Sequence, residues 1–234
     1  MLPTTTSTDV ADQGADIAVL PVGSFEQHGP YLPLATDSLI ATAIAERIAD
    51  DYDLLRLPVI TLGCSHEHAD FPGTASISAT TLYAVINDVA TSLARSGIER
   101  LVVVNGHGGN YVLGNVAQEI NVAGRRMVLF PQSADWQDAR NEARLETDNH
   151  EDMHGGEAET SILLHRFPDV VRPGYQSADH VHNDRRLLQL VGMRPYTTSG
   201  VIGRPSLATA DKGRRLLDAL SKLFKEHLEA LRSP

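Results

Sequence analysis

Hydrophobic positions along the chain switch between short apolar runs and helical spacing. Ile17–Val22 is an unbroken apolar run closed by Gly23, the pattern of a strand buried on both faces. Ser38–Ala49 carries Ile40, Ile44 and Ile48 at four-residue intervals, one face of a helix. Leu54–Leu62 is apolar again, but Pro58 lacks the N–H that a central ladder needs, so an edge or irregular strand is predicted. Thr80–Arg95 reads as a helix with Leu82, Val85, Ile86, Val89 and Leu93 on one side. Leu101–Val104 predicts a strand, Asn110–Val122 a helix and Met127–Phe130 a further short strand. Trp136–Thr147 is polar and predicted helical, exposed or at a subunit contact. Glu157–Arg166 predicts a helix carrying Ile162, Leu163 and Leu164. Residues 168–208 are rich in Pro, Gly and polar groups and predict a long surface excursion. Lys212–Leu231 closes the chain as an amphipathic helix through Leu216, Leu217, Leu220, Leu223, Phe224 and Leu228.

Strands alternating with helices imply a single-domain layered α/β fold, with a mainly parallel sheet flanked by helices. One domain is expected over residues 13–234, preceded by a disordered tail at 1–12. In such sheets, sites form at the carboxyl ends of the strands.

Composition adds boundaries to this picture. The chain has 234 residues, 42% hydrophobic and 21% charged, with a formal net charge of -10. That acidity repels phosphate backbones, so no nucleic-acid partner is expected. It also leaves carboxylates to spare as cation ligands. No run reaches the roughly 20 apolar residues of a membrane span, so no membrane partner is expected. The Thr/Ser-rich start, Met1 to Asp9, has neither the basic nor the apolar part of a signal peptide. The single cysteine, Cys64, fits a reducing compartment. A cytoplasmic location is expected.

Three segments carry candidate chemistry. Directly after the first strand comes Gly23-Ser-Phe-Glu26-Gln-His28-Gly-Pro, with Asp37 at the entrance to the next helix. In an extended segment, residues two apart point the same way, so Glu26 and His28 share a side. Asp37 or Thr36 could equally be a helix cap. The second segment, Asn105-Gly-His107-Gly-Gly-Asn110, follows the buried strand. It is no dinucleotide fingerprint, because Tyr111 stands where the third glycine belongs, and no Lys-Ser/Thr pair makes it a P-loop. The third is His154-Gly-Gly-Glu157-Ala-Glu159-Thr-Ser. Its carboxylates are also what a helix N-terminus favours electrostatically. Taken together, Glu26, Asp37 and Glu159 would repel one another without cations. Two divalent ions held by Glu26, His28, Asp37, His107 and Glu159 explain why three carboxylates and two histidines sit at strand-to-helix junctions.

These segments together resemble the creatininase family, and Phe71-Pro-Gly-Thr74 adds a fourth match. The similarity runs from the first strand through Gly200-Val-Ile-Gly203 into the last helix. It implies a creatininase-like fold, a two-metal site of zinc, manganese or iron, and a homohexamer. Glu26, His28, Asp37 and His107 match the family's ligand positions, with Asp37 as the bridging carboxylate. This chain departs from creatininase proper at two points. Gly109 replaces a glutamate ligand of that enzyme, so Glu159 is taken as the fifth ligand. The stretch His150-Glu151-Asp152-Met153 also lacks a Trp-Asp pair that contacts creatinine in that enzyme.

The expected function is metal-dependent hydrolysis of a non-peptide C–N bond in a small cyclic amide, formamide or related substrate. The attacking group is a hydroxide shared by the ions, and His154 is the catalytic proton carrier. His66 and His68, before Phe71, are expected to line the substrate pocket. The alternatives are a mycofactocin-type peptidase of the same family, or a noncatalytic metal-binding homologue. No Gly-x-Ser-x-Gly elbow is present, which argues against a serine hydrolase.

Overall fold

The computed structural model describes residues 2–233. Its centre is a four-stranded, wholly parallel sheet of order β2-β1-β3-β4, made of β1 (Ile17–Val22), β2 (Leu55–Arg56), β3 (Arg100–Asn105) and β4 (Arg126–Phe130). The layered α/β architecture expected from the alternation is the one observed. β1 and β3 pair along their whole length, Ile17 opposite Arg100 through Val22 opposite Asn105. Only Leu55 and Arg56 join the ladder at the edge, and Ile60 adds one isolated bridge to Val22. The edge role predicted from Pro58 therefore holds, over a shorter length.

Alternation along the strands divides the core in two. Ile17, Val19, Val102 and Val104 face α2 (Thr36–Tyr52), α5 (Ser133–Ala143), α6 (Glu157–Arg166) and α8 (Ala210–Arg232), packing with Ile40, Ile44, Ile162, Leu216, Leu220 and Phe224. Ala18, Leu20, Val22, Leu101 and Val103 face α3 (Ala79–Arg95) and α4 (Val112–Val122), against Leu82, Ile86, Leu113 and Val116. Both faces of the sheet are thus covered, as an all-parallel sheet requires.

Three expectations are corrected. Ser7–Gln13 form α1 where a disordered tail was expected, because Thr6 and Asp9 close a capping box: Asp9 N–H donates to Thr6 Oγ1 (3.2 Å), and Thr6 N–H to Asp9 Oδ2 (2.8 Å). Met1, also assigned to that tail, lies outside the described residues. α5 is not an exposed helix. Ala139 and Ala143 are fully buried in the core, and Arg140 turns inward to Asp152. α4 begins at Val112 rather than Asn110, since the Asn110 side chain is committed elsewhere.

That commitment positions the site. Asn110 Oδ1 accepts from Cys64 N–H (2.8 Å), and its Nδ2 donates to Gly23 O (3.2 Å) and Asn105 Oδ1 (3.0 Å). One side chain thereby ties together the ends of β1 and β3 and the loop at Cys64. Gly23 and Gly106 let α2 press against those strand ends. A Cβ at Gly23 would lie 2.4 Å from the Ser38 backbone, and one at Gly106 2.3 Å from Asp37 O. Asp37 is held where β1 and β3 terminate. The excursion after α6 contains the short helix α7 (Leu188–Val191) and returns to pair Ile202 with His154 through two 2.8 Å backbone bonds. Among the described residues, no helix is long and apolar enough to cross a membrane.

Candidate metal centre

The carboxyl ends of β1 and β3, the N-terminus of α2 and the N-terminus of α6 converge on one buried cluster. Asp37 lies between two imidazoles: Oδ1 is 2.9 Å from His28 Nε2, and Oδ2 is 3.0 Å from His107 Nδ1. Ser24 Oγ donates to Oδ2 at 2.6 Å. Asp37 is therefore no helix cap, and neither is Thr36, whose hydroxyl donates to Pro33 O (2.7 Å). Glu26 is fully buried, 3.2 Å from both His107 Nε2 and His68 Nε2. Glu159 Oε2 lies 4.0 Å from His28 Nε2 and accepts from Gly155 N–H (2.6 Å). All five side chains selected as ligands from the sequence are thus brought to one place.

His154 stands at the same place. Its ring stacks on His28, with centroids 4.1 Å apart, and its Nδ1 is 3.8 Å from Glu26 Oε1. The other two predicted histidines separate. His68 is buried directly behind Glu26, so it is not a lining residue of an open pocket. His66 is exposed, on the rim of a cavity of about 460 Å³ lined also by Glu67, Gly109, Tyr111 and Leu188. A second cavity of about 510 Å³ reaches the cluster itself, past His107, Trp136, Met153 and Glu159.

Sequence reasoning missed Glu67, whose Oε1 is 3.5 Å from His107 Nε2. The signal was Gly109. A Cβ there would stand 2.3 Å from both Glu67 Oε1 and His107 Nε2 and 2.6 Å from Cys64 O, so Glu67 takes the space that a side chain at 109 would fill. Sequence reasoning also left Glu157 beside Glu159 without a separate role. Glu157 turns away from the cluster and is satisfied by Thr147 N–H (3.0 Å), Thr147 Oγ1 (2.7 Å) and Lys212 Nζ.

Hydrogen bonds identify which ring nitrogens are free. A backbone carbonyl can only accept. Glu26 O therefore takes a proton from His28 Nδ1 (3.0 Å), Cys64 O from His107 Nε2 (3.0 Å) and Gln27 O from His154 Nε2 (2.5 Å). In their neutral forms the lone pairs lie on His28 Nε2 and His107 Nδ1, both aimed at Asp37, and on His154 Nδ1, aimed towards Glu26.

Protonation balances charge in the absence of cations. Burial pushes His28 down, but Asp37, Glu159 and Glu26 outweigh it and raise it to about 9. Burial likewise opposes charge on His107, and Glu26 and Asp37 hold it well above the usual imidazole range. Burial would raise Asp37, yet His28 and His107 keep it well below the usual carboxylate range. Burial, with the charges of His28 and His68, drives His154 well down, and burial lowers His68 to about 4. Burial raises Glu159 to about 7.

These residues fit divalent cations. Both Glu26 oxygens are buried with no hydrogen-bond partner, which a carboxylate tolerates only beside positive charge. Carboxylate and imidazole donors suit zinc, manganese and iron alike. Glu26, His28 and Asp37 place ligand atoms within 4.8 Å of one another, and so do His28, His154 and Glu159, and Glu26, His68 and His154.

Comparison with known proteins shows the family. The family model described as Creatininase: Creatinine amidohydrolase matches residues 3–228. The chain is 36% identical over 227 residues to the mycofactocin precursor peptide peptidase of Mycobacterium ulcerans (strain Agy99), covering 92% of this chain and 85% of that protein. It is 30% identical over 174 residues to the creatinine amidohydrolase of Pseudomonas putida, covering 68% of this chain and 67% of that protein. A crystal structure of creatinine amidohydrolase (creatininase) superposes with a TM-score of 0.82 at 25% identity, over 99% of this chain and 97% of that one.

Proposed function

Because this chain belongs to the creatininase family of hydrolases, we propose that it cleaves an amide C–N bond at a centre of two divalent ions. Glu26, His28, Asp37, His107 and Glu159 would hold them. The observation that carries the reading is Glu26, whose two oxygens are wholly buried and unpartnered among imidazoles. When bound, such ions polarise a carbonyl oxygen and acidify a water towards about pH 7.

This chain's own groups do the rest. The carbonyls of Glu26 and Cys64 lock the His28 and His107 tautomers, which fixes ligand direction before any ion arrives. Ser24 holds the Asp37 carboxylate between His28 and His107. His154 keeps its Nε2 proton on Gln27 O and offers Nδ1 as a proton acceptor. In this reading Nδ1 takes the proton from the attacking water and returns it to the departing nitrogen, as general acid–base work requires.

A small cyclic amide or a formamide is the substrate class assigned here. Zinc, manganese or iron as the metal and a hexameric assembly belong to the same proposal. A peptide substrate is the second reading. It is favoured by the 36% identity to a peptide peptidase and by the cavity of about 510 Å³ that reaches His107 and Glu159. The test is hydrolysis of a panel (creatinine, cyclic ureides, formamidopyrimidines, short peptides) by protein of measured metal content. Turnover that tracks metal content and vanishes on chelation is expected. Full activity after exhaustive chelation would refute the metal mechanism.

A further inference from the structure

His68 has a defined place that neither the ligand set nor the proton carrier accounts for. It lies in the 3-10 turn His66–His68 and is buried, with its two ring nitrogens facing different groups. Nδ1 is 2.9 Å from Gln27 Nε2, and Nε2 is 3.2 Å from Glu26 Oε1.

A chain of hydrogen bonds settles which nitrogen carries the proton. Gly29 N–H can only donate, and it lies 2.9 Å from Gln27 Oε1, so that atom is the amide oxygen. The other amide atom is the nitrogen, and its second contact agrees: it donates to Gly200 O at 3.2 Å. The amide is pinned in this pose by its neighbours, since a Cβ at Gly200 would lie 1.6 Å from Gln27 Oε1. Gln27 therefore presents N–H to His68 Nδ1, which must accept it. The hydrogen of the neutral His68 ring is left on Nε2, the atom nearest Glu26 Oε1.

We propose that His68 is a positioning residue for Glu26. Its Nε2–H faces one oxygen of that carboxylate at 3.2 Å, short of aligned hydrogen-bond geometry, and its electrostatic attraction keeps the side chain turned into the metal cavity, while Gln27 dictates the tautomer. In this tautomer Nε2 has no lone pair for an ion, so His68 is not itself a ligand. The proposal rests on Glu26 being a ligand. It adds that the grip on Glu26 is set by a relay of Gly29, Gln27 and His68, three residues that touch no ion. Partners of this outer kind change metal affinity by about 10–100-fold when removed.

Two measurements decide it. The first is a long-range proton–nitrogen correlation spectrum of metal-free protein with 15N-labelled histidine, with His68 assigned by its loss in His68→Gln. A neutral ring with the proton on Nε2 is expected, and a proton on Nδ1 or on both nitrogens overturns the proposal. The second is calorimetric titration of metal-stripped protein with Mn²⁺. His68→Ala is expected to bind the same number of ions as the native chain, about 10–100-fold more weakly. His68→Gln, whose amide can still donate, is expected to recover most of that loss. Loss of an ion outright in both variants would make His68 a ligand and overturn the positioning role, as would unchanged affinity in His68→Ala. Glu26→Ala separates the two levels. If it too binds Mn²⁺ like the native chain, the metal centre itself fails. If it loses Mn²⁺ while His68→Ala does not, only the relay fails.

Discussion

Replacing Glu26 by Gln should uncouple the stability of this protein from its metal. The native carboxylate is fully buried and has no hydrogen-bond partner on either oxygen. It faces the imidazoles of His68 and His107 at 3.2 Å. A ligand present at 100 times its dissociation constant stabilises the folded state by about 2.7 kcal/mol, so two independent ions contribute about 5 kcal/mol. In a chain of this size each kcal/mol moves the melting temperature by about 2–4 °C. Chelation should therefore lower the native melting temperature by about 10–20 °C. In Glu26→Gln the buried charge is gone. The metal-free variant should melt at or above metal-free native protein, and added Mn²⁺ or Zn²⁺ should raise it far less. Differential scanning calorimetry with chelator and with each metal reads both quantities. A Glu26→Gln variant that gains the full native increment from metal would refute the reasoning.

Four further outcomes follow from the same geometry. Gly109→Ala puts a Cβ 2.3 Å from both Glu67 Oε1 and His107 Nε2, so metal content by mass spectrometry should fall while far-UV circular dichroism stays native. Because the carboxylates raise His28 to about 9, its ring holds a proton at pH 7 that a cation must displace. Metal affinity should then rise from pH 7 towards 9 by about one log unit per pH unit for each proton released. Calorimetry in two buffers of different ionisation enthalpy counts those protons, and none released at pH 7 contradicts the assignment. His154→Ala should lower turnover strongly at near-normal metal content, whereas loss of metal would make His154 a ligand. Lys212→Met strips the cation from Glu157, whose side chain is fully buried, and should cost about 3–5 kcal/mol in urea unfolding.

Much of this protein is legible in its sequence because the cues are local. The apolar runs at Ile17–Val22 and Leu101–Val104 mark strands, since only a strand covered on both faces is apolar at every position. Ile40, Ile44 and Ile48 mark the buried face of α2 for the same kind of reason. Glu26, His28, Asp37, His107 and Glu159 stand out because three carboxylates and two histidines recur at strand-to-helix junctions. α1 was also within reach, as the spacing of Thr6 and Asp9 is that of a capping box.

Tertiary structure alone decided the surroundings of those residues. Glu157 and Glu159 are two residues apart on one helix and equally plausible as ligands. Rotation about the helix axis sends Glu159 to His28 and Glu157 to Lys212. His66 and His68 look equivalent in sequence, yet the 3-10 turn buries one behind Glu26 and leaves the other exposed. Which nitrogen of each histidine is free depends on carbonyls brought from distant positions, as when Cys64 O meets His107. A chain can specify its ligand types through spacing, but ring tautomers and carboxylate poses depend on neighbours that only the packed fold brings within about 3 Å.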